Sequence, residues 1–185
     1  MSFLISPCDV DSVHLHFGPT VKNNDSDGNF SRIIYSTKHI SFNGLGIMVD
    51  LANVQHESHY KKTFMRFDPH APENSTTMTQ LQTIENEILD KYVGHVTKDS
   101  LRCVHHSLAE QLNVGCIKAY TNDGSGTGTG DDQADCSYGH GHGHGHGHGH
   151  GHGPGHASKI QVMLKICGVW ETNGECGILY KFIKC

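Results

Sequence analysis

The chain has 185 residues, with 22 Gly, 17 His, 7 Cys and a formal net charge of -5, which is the length of one ordinary domain. Residues 121–157 hold 13 of the glycines, 8 of the histidines and four Asp but no Lys or Arg, so outside them 14 basic side chains face 15 acidic ones. That near balance excludes a globally basic nucleic-acid binder while allowing a local basic patch.

No run approaches the ~18 to 20 apolar residues of a membrane span, and the first ten residues lack the basic start and long apolar stretch of a signal peptide. A soluble intracellular protein without a membrane partner is expected. Cys8, Cys103, Cys116, Cys136, Cys167, Cys176 and Cys185 never form C-x-x-C, so the pattern favours free thiols over a disulfide framework or a thiolate zinc site.

In chain order, Val13, Leu15 and Phe17 alternate with His14 and His16, the period of a half-buried strand, and Gly18-Pro19 is expected to stop it. The two imidazoles share its outer face; with no third ligand identifiable, a solvated face is favoured over a metal site. Residues 23–29 read as a polar turn. Residues 32–40 and 45–51 are β-type runs on either side of Ser41-Phe42-Asn43-Gly44, which reads as a hairpin. Residues 56–67 read as one strand that places Tyr60, Lys62, Phe64 and Arg66 on a single face, ended by Asp68-Pro69 and Pro72.

Thr77-x-x-Gln80 resembles a capping box, and Met78, Leu81, Ile84, Ile88 and Tyr92 then recur at helical spacing up to Gly94. Leu101, Val104, Leu108 and Leu112 repeat that pattern after Asp99, predicting a second helix that Gly115 closes before a short strand over residues 116–120. Residues 121–157 have no apolar periodicity and alternate Gly with His over 139–153, so this loop is expected to be disordered. The chain resumes with apolar runs over 160–171 and 175–183 around Asn173-Gly174, the strongest hairpin signal present. A two-residue turn sets Thr172 opposite Glu175, Trp170 opposite Gly177, Gly168 opposite Leu179 and Ile166 opposite Lys181. Trp170 then shares a face with Ile166, Leu179 and Ile183, while Cys167, Val169, Cys176, Ile178, Tyr180 and Phe182 occupy the other.

The fold expected is one α+β domain over residues 1–185: a single antiparallel sheet of six or seven strands with two helices, interrupted by the disordered Gly/His-rich loop at 121–157. No repeated βαβ unit argues for a doubly wound parallel sheet. Barrel closure is left open by the sequence.

No Walker A loop, H-E-x-x-H, G-x-S-x-G or deaminase signature is present, so neither an enzyme nor a cofactor is expected. His140, His142, His144, His146, His148, His150 and His152 supply imidazoles that glycine allows to converge on Ni, Cu or Zn ions. Simple repeats expand readily in surface loops, so such binding is read as adventitious. Two stretches interleave rings with cations, Tyr60 to Phe67 and Tyr180 to Lys184. Sheets that bind single-stranded DNA or RNA use this mixture, since rings stack on bases while cations meet phosphates. Tyr60, Lys62, Phe64, Arg66, Tyr180 and Lys181 are therefore the candidate nucleic-acid contacts. Against this stands the usual place of strand aromatics in a core and of lysines on exposed edges.

Leu164-Lys165-Ile166-Cys167-Gly168-Val169-Trp170-Glu171, followed by Gly177-Ile178-Leu179-Tyr180-Lys181-Phe182-Ile183, resembles the closing hairpin of small proteins of the nucleocytoplasmic large DNA viruses of protists. The match covers about twenty residues. It implies a non-enzymatic viral protein in the cytoplasm or nucleus of an infected cell, and transfers no catalytic residue. Two functions follow as expectations: binding of single-stranded nucleic acid, or a virion or scaffold role in which the two-faced hairpin makes a homo-oligomer.

Overall fold

Asn173 and Gly174 both take positive φ, 50° and 82°, as a two-residue hairpin turn with the right-handed twist of its flanking strands requires. In the computed structural model, which describes residues 4–22, 28–59, 62–96, 103–121 and 159–185, this turn joins the long strands β9 (Lys159–Thr172) and β10 (Glu175–Lys184). They form the middle of a mostly antiparallel open sheet. On the β9 side lie β2 (Gly28–Ser36), at the turn end, and β4 (Leu45–Ala52), at the far end, with β1 (Leu15–Lys22) and the short β3 (Ser41–Asn43) paired to β2. On the β10 side lie β7 (Cys103–His105) and β8 (Cys116–Thr121), both parallel to β10, followed by β6 (Lys62–Arg66) and β5 (Gln55–His59). The sheet runs from β1 to β5 without closing into a barrel.

Two helices cover one face. Helix α1 (Pro72–His95) buries Met78, Leu81, Ile84, Ile88, Leu89 and Tyr92, and α2 (Ser107–Val114) buries Leu108 and Leu112. They pack on a face built by Leu15, Ile33, Leu45, Ile47, Val49, Leu51, Ile117, Val162, Leu164, Ile166, Val169, Ile178 and Phe182. The two helices are held by buried polar groups as well as by apolar contact. Asn74 accepts from the Ala52 N–H at 2.8 Å and donates to the Ala52 and Asp68 carbonyls, pinning the start of α1 to the end of β4. Glu85, fully buried on α1, accepts from the N–H groups of Leu108 (2.9 Å) and Ala109 (2.7 Å), so it caps the α2 N-terminus from another helix. Tyr92 donates to Glu171 on β9 at 3.1 Å, and burial pushes its phenol up from its ordinary value.

The α+β class, the two helices and the C-terminal hairpin agree with the sequence expectation; several boundaries and pairings differ. The strand expected to stop at Gly18-Pro19 continues through them, with a register shift between Phe17 and Thr20, because an edge strand tolerates the missing proline N–H. Residues 56–67 form two antiparallel strands instead of one, since Ser58 pairs with Thr63 and His59 with Lys62. Ser41 to Gly44 does not join neighbouring strands: β3 folds back on β2, whereas β4 crosses to β9. Helix α1 starts at Pro72 rather than at Thr77, the proline occupying a first-turn position where its missing N–H costs nothing. The second helix begins only at Ser107, because Cys103 to His105 pair with Glu175 to Gly177 and Val104 is a strand residue.

The two ends of the Gly/His-rich segment leave the sheet together: Thr121 on β8 and Val162 on β9 both pair with Lys184, one on each side of β10, about 10 Å apart at ordinary strand spacing. The segment itself, with the histidines expected to take metals, lies outside the described residues, as do Tyr60 and the turn at 23–27. Removal of residues 124–155 leaves five residues between Thr121 and the start of β9 at Lys159, and eight between Thr121 and Val162. Cooperative thermal melting should survive, with stability unchanged or raised by up to about 1.5 kcal/mol as loop closure becomes less costly. Loss of the melting transition would show that the tract supports the sheet.

Candidate nucleic-acid interface

Strand alternation decides which side chains reach the face opposite the helices. On β6, Thr63 and Met65 are buried toward the helices, so Lys62, Phe64 and Arg66 point the other way, with Phe64 36% exposed. On β8, Ile117 and Ala119 point inward, so Lys118 and Tyr120 share that outer face. Phe64 pairs with Lys118 and Lys62 with Tyr120, and the Lys118 Nζ stands 5.2 Å from the Tyr120 ring centroid. Ile183 of β10 borders Tyr120. Two residues before it, Lys181 lies directly opposite Lys165 of β9.

The other end of the same face repeats the mixture. Phe30 and Arg32 on β2 alternate with the buried Ser31 and Ile33, and Phe30 pairs with Trp170. The His105 ring lies 5.7 Å from that of Trp170, tilted by 30°, and its Nε2 is 3.2 Å from Glu175 Oε2. Arg32, Lys62, Arg66, Lys118, Lys165 and Lys181, with Lys159 at the start of β9, thus share the outer face. Among the described residues none of them makes an ion pair with a carboxylate. Strand alternation and pairing place Asp50, Glu57 and Glu175 there as the acidic members.

Of the six contacts expected from sequence, Lys62, Phe64, Arg66 and Lys181 share this face, and Tyr60 lies outside the described residues. Tyr180 is corrected. It belongs to the helix face, where its hydroxyl sits 2.8 Å from Gln111 Oε1 and 3.1 Å from the Ser107 carbonyl, so it locks α2 to β10. Alternation puts neighbouring residues on opposite sides, and Tyr180 and Lys181 therefore never serve one surface. Trp170 keeps Leu179 and Ile183 as companions but not Ile166. A bulge at Cys167 makes Tyr180, not Lys181, the partner of Ile166, and turns Ile166 inward beside Leu164.

Sequence reading missed Phe30, Arg32, Lys118, Tyr120, Lys165 and Trp170 as members of one face. Phe30-x-Arg32 and Lys118-x-Tyr120 carry the same ring-x-cation signature as Lys62-x-Phe64-x-Arg66, too short in each case to stand out locally. His14 ends a 3-10 turn, Ser12–His14, ahead of β1 and packs edge-on against Tyr35 at 5.8 Å, so of the two histidines expected on that strand only the exposed His16 lies in it. Among the described residues no three His, Cys, Asp or Glu side chains assemble as a metal-binding group. The six described cysteines are free thiols, and burial pushes Cys176 up to about 11. No described helix is long and apolar enough to cross a membrane. No protein-family model matches the chain, and no curated protein or solved structure matches it.

Proposed function

We propose that the protein is a non-enzymatic binder of single-stranded DNA or RNA and that the helix-free face of its sheet is the binding surface. The observation that carries this reading is Lys165 opposite Lys181 at the middle of that face, two like charges in directly paired positions with no carboxylate against either among the described residues. Such a pair is destabilising in the free protein, and two phosphates of a bound strand, one against each ammonium group, relieve the repulsion. Rings on both sides of the pair supply stacking surfaces that tolerate any base. The near-neutral charge of the whole chain is no obstacle, because the cations are gathered on one face while Glu73, Glu85 and Asp90 belong to α1 on the other. The reading keeps the viral setting that the C-terminal hairpin's resemblance implies, and the infected cell's cytoplasm or nucleus as its place.

Fluorescence anisotropy of a labelled oligothymidylate at two salt concentrations tests it. Each phosphate contact on a single strand contributes about 0.7 to the slope of log affinity against log salt, so changing Lys165 and Lys181 together to Ala should flatten the slope by about 1.4. Phe64→Ala should remove roughly 1–3 kcal/mol of stacking at any salt. A wild-type protein that binds no oligonucleotide at low salt would defeat the proposal.

A second reading is favoured by one row on the same face. Met48, Met163 and Ile183 pair across β4, β9 and β10 as an apolar line between the cations. In a virion or scaffold protein this line would be the contact of a homo-oligomer. Sedimentation equilibrium separates the readings: a dimer that Ile183→Lys dissolves, together with absent oligonucleotide binding, selects the scaffold.

A further inference from the structure

Two aromatic rings on the helix-free face lie against strand glycines. A Cβ built on Gly168 would meet the Phe30 Cζ and Cε2 atoms at 2.5 and 2.6 Å, and one built on Gly177 would meet the Trp170 Cζ2 and Cε2 atoms at 2.9 and 3.0 Å. Only glycine admits rings this close to the backbone. Covering a strand glycine with an aromatic is by itself a stabilising device. Here it occurs twice side by side, since Phe30 and Trp170 are register partners, and it is continued by the His105 ring at 5.7 Å. Both residues remain partly exposed. Arg32, exposed and two residues from Phe30, points to the same side.

This group stands at the turn end of the hairpin, opposite the Phe64 and Tyr120 group at the far end. On β10 the two ends are marked by Gly177 and Ile183, six residues and therefore about 20 Å apart. Between them lie Lys181 and Lys165. The order along the face is rings, paired cations, rings. At the ~3.4 Å rise per nucleotide of a stacked strand, 20 Å corresponds to about six nucleotides, and to fewer if the strand is stretched.

We propose that Trp170 and Phe30 form a second base-stacking platform for the strand that Phe64 and Tyr120 engage, so that one oligonucleotide must bridge both ends of the face with its phosphates over Lys165 and Lys181. This rests on the single-strand reading above and adds to it a minimum length and a second set of contacts. The occupant follows from charge: among the described residues the cations on this face outnumber its carboxylates Asp50, Glu57 and Glu175, and Glu175 is already held by His105.

Trp170 is the chain's one tryptophan, so its fluorescence reports the platform directly. Oligothymidylates of three, eight and twelve nucleotides are titrated into the full chain, following tryptophan emission and, in parallel, the anisotropy of end-labelled copies. The expected result is strong quenching by the eight- and twelve-nucleotide strands. Affinity should rise at least tenfold between three and eight nucleotides and little from eight to twelve. Trp170→Leu and Phe30→Leu should each weaken the eight-nucleotide strand about tenfold, with the Trp170→Phe variant retaining most of the affinity. Anisotropy showing binding while tryptophan emission stays constant, or affinity that does not change between three and eight nucleotides, would overturn the platform and leave the function standing. Absence of binding at every length would overturn the function and the platform together.

Discussion

Phe182→Ala should cost roughly 3–5 kcal/mol and leave little or no cooperatively folded protein, the usual effect of emptying a large aromatic site in a core. The ring is 1% exposed and belongs to the core that β10 shares with both helices. Its strand neighbours are Leu164 and Ala119, and Tyr180 meets it edge-on with centroids 6.0 Å apart. Ala119 is too small to fill the space left behind, and Leu164 is held by its own pairing with Ile47 on the other side of β9. Denaturant unfolding followed by circular dichroism measures the loss. A variant within about 1 kcal/mol of the parent would mean that the helices close over the gap, and that the hairpin's inner face is less tightly packed than its burial indicates.

Glu85→Ala should be the next most damaging change, at about 2–3 kcal/mol. That is slightly above the usual loss of a helix cap, because of the two N–H groups left without an acceptor that of Leu108 is buried and that of Ala109 partly so. A second substitution isolates the charge. Burial pushes the Glu85 carboxyl above its ordinary value of 4.5, outweighing the Leu108 and Ala109 N–H groups and His106, which pull it down. A carboxyl raised only in the folded protein binds more protons folded than unfolded. Its contribution to stability is therefore fully present below about pH 4.5 and is lost as the pH rises through the folded value. Glu85→Gln removes that titration. The stability of the parent relative to the Gln variant should fall on going from pH 4 to pH 7, as measured by urea midpoints at matched ionic strength. A relative stability that grows with pH would mean that the helix N-terminus, not burial, governs the group.

What the sequence makes legible is local. Asn173-Gly174 announces its turn because both positions need positive φ, and the register it imposes holds for the first five pairs from Glu175 to Leu179. Lys62, Phe64 and Arg66 fall on one face because period two is a property of any strand. The helical stripe from Met78 to Tyr92 is read for the same reason. The failures begin where a distant segment decides. Nothing near Cys167 signals that one extra residue is accommodated there, yet it sends Ile166 inward and leaves Trp170 outside. Val104 fits a helical stripe with Leu108 and Leu112, and only its pairing with Cys176, more than seventy residues on, makes it a strand. The candidate interface is visible in the first of the two ring-and-cation stretches, whereas the second is split between the two faces at Tyr180 and Lys181. Its full extent depends on Phe30-x-Arg32 and Lys118-x-Tyr120 being carried to the same side by β2 and β8, which is a matter of sheet order.

That order also governs how the chain reaches its fold. The pairings of β1 to β4 run among themselves and to β9, and those of β5, β6 and β8 among themselves and to β10. Leu45 waits for Ile166, more than a hundred residues later in the chain. Contacts of such long sequence separation slow folding, because the entropy of closing the intervening chain is lost before the contacts form. On a ribosome the early strands emerge with unpaired edges long before the hairpin that will lie between them. The full sheet therefore cannot close up until residues 159–184 are available, since both flanks pair with them and not with each other.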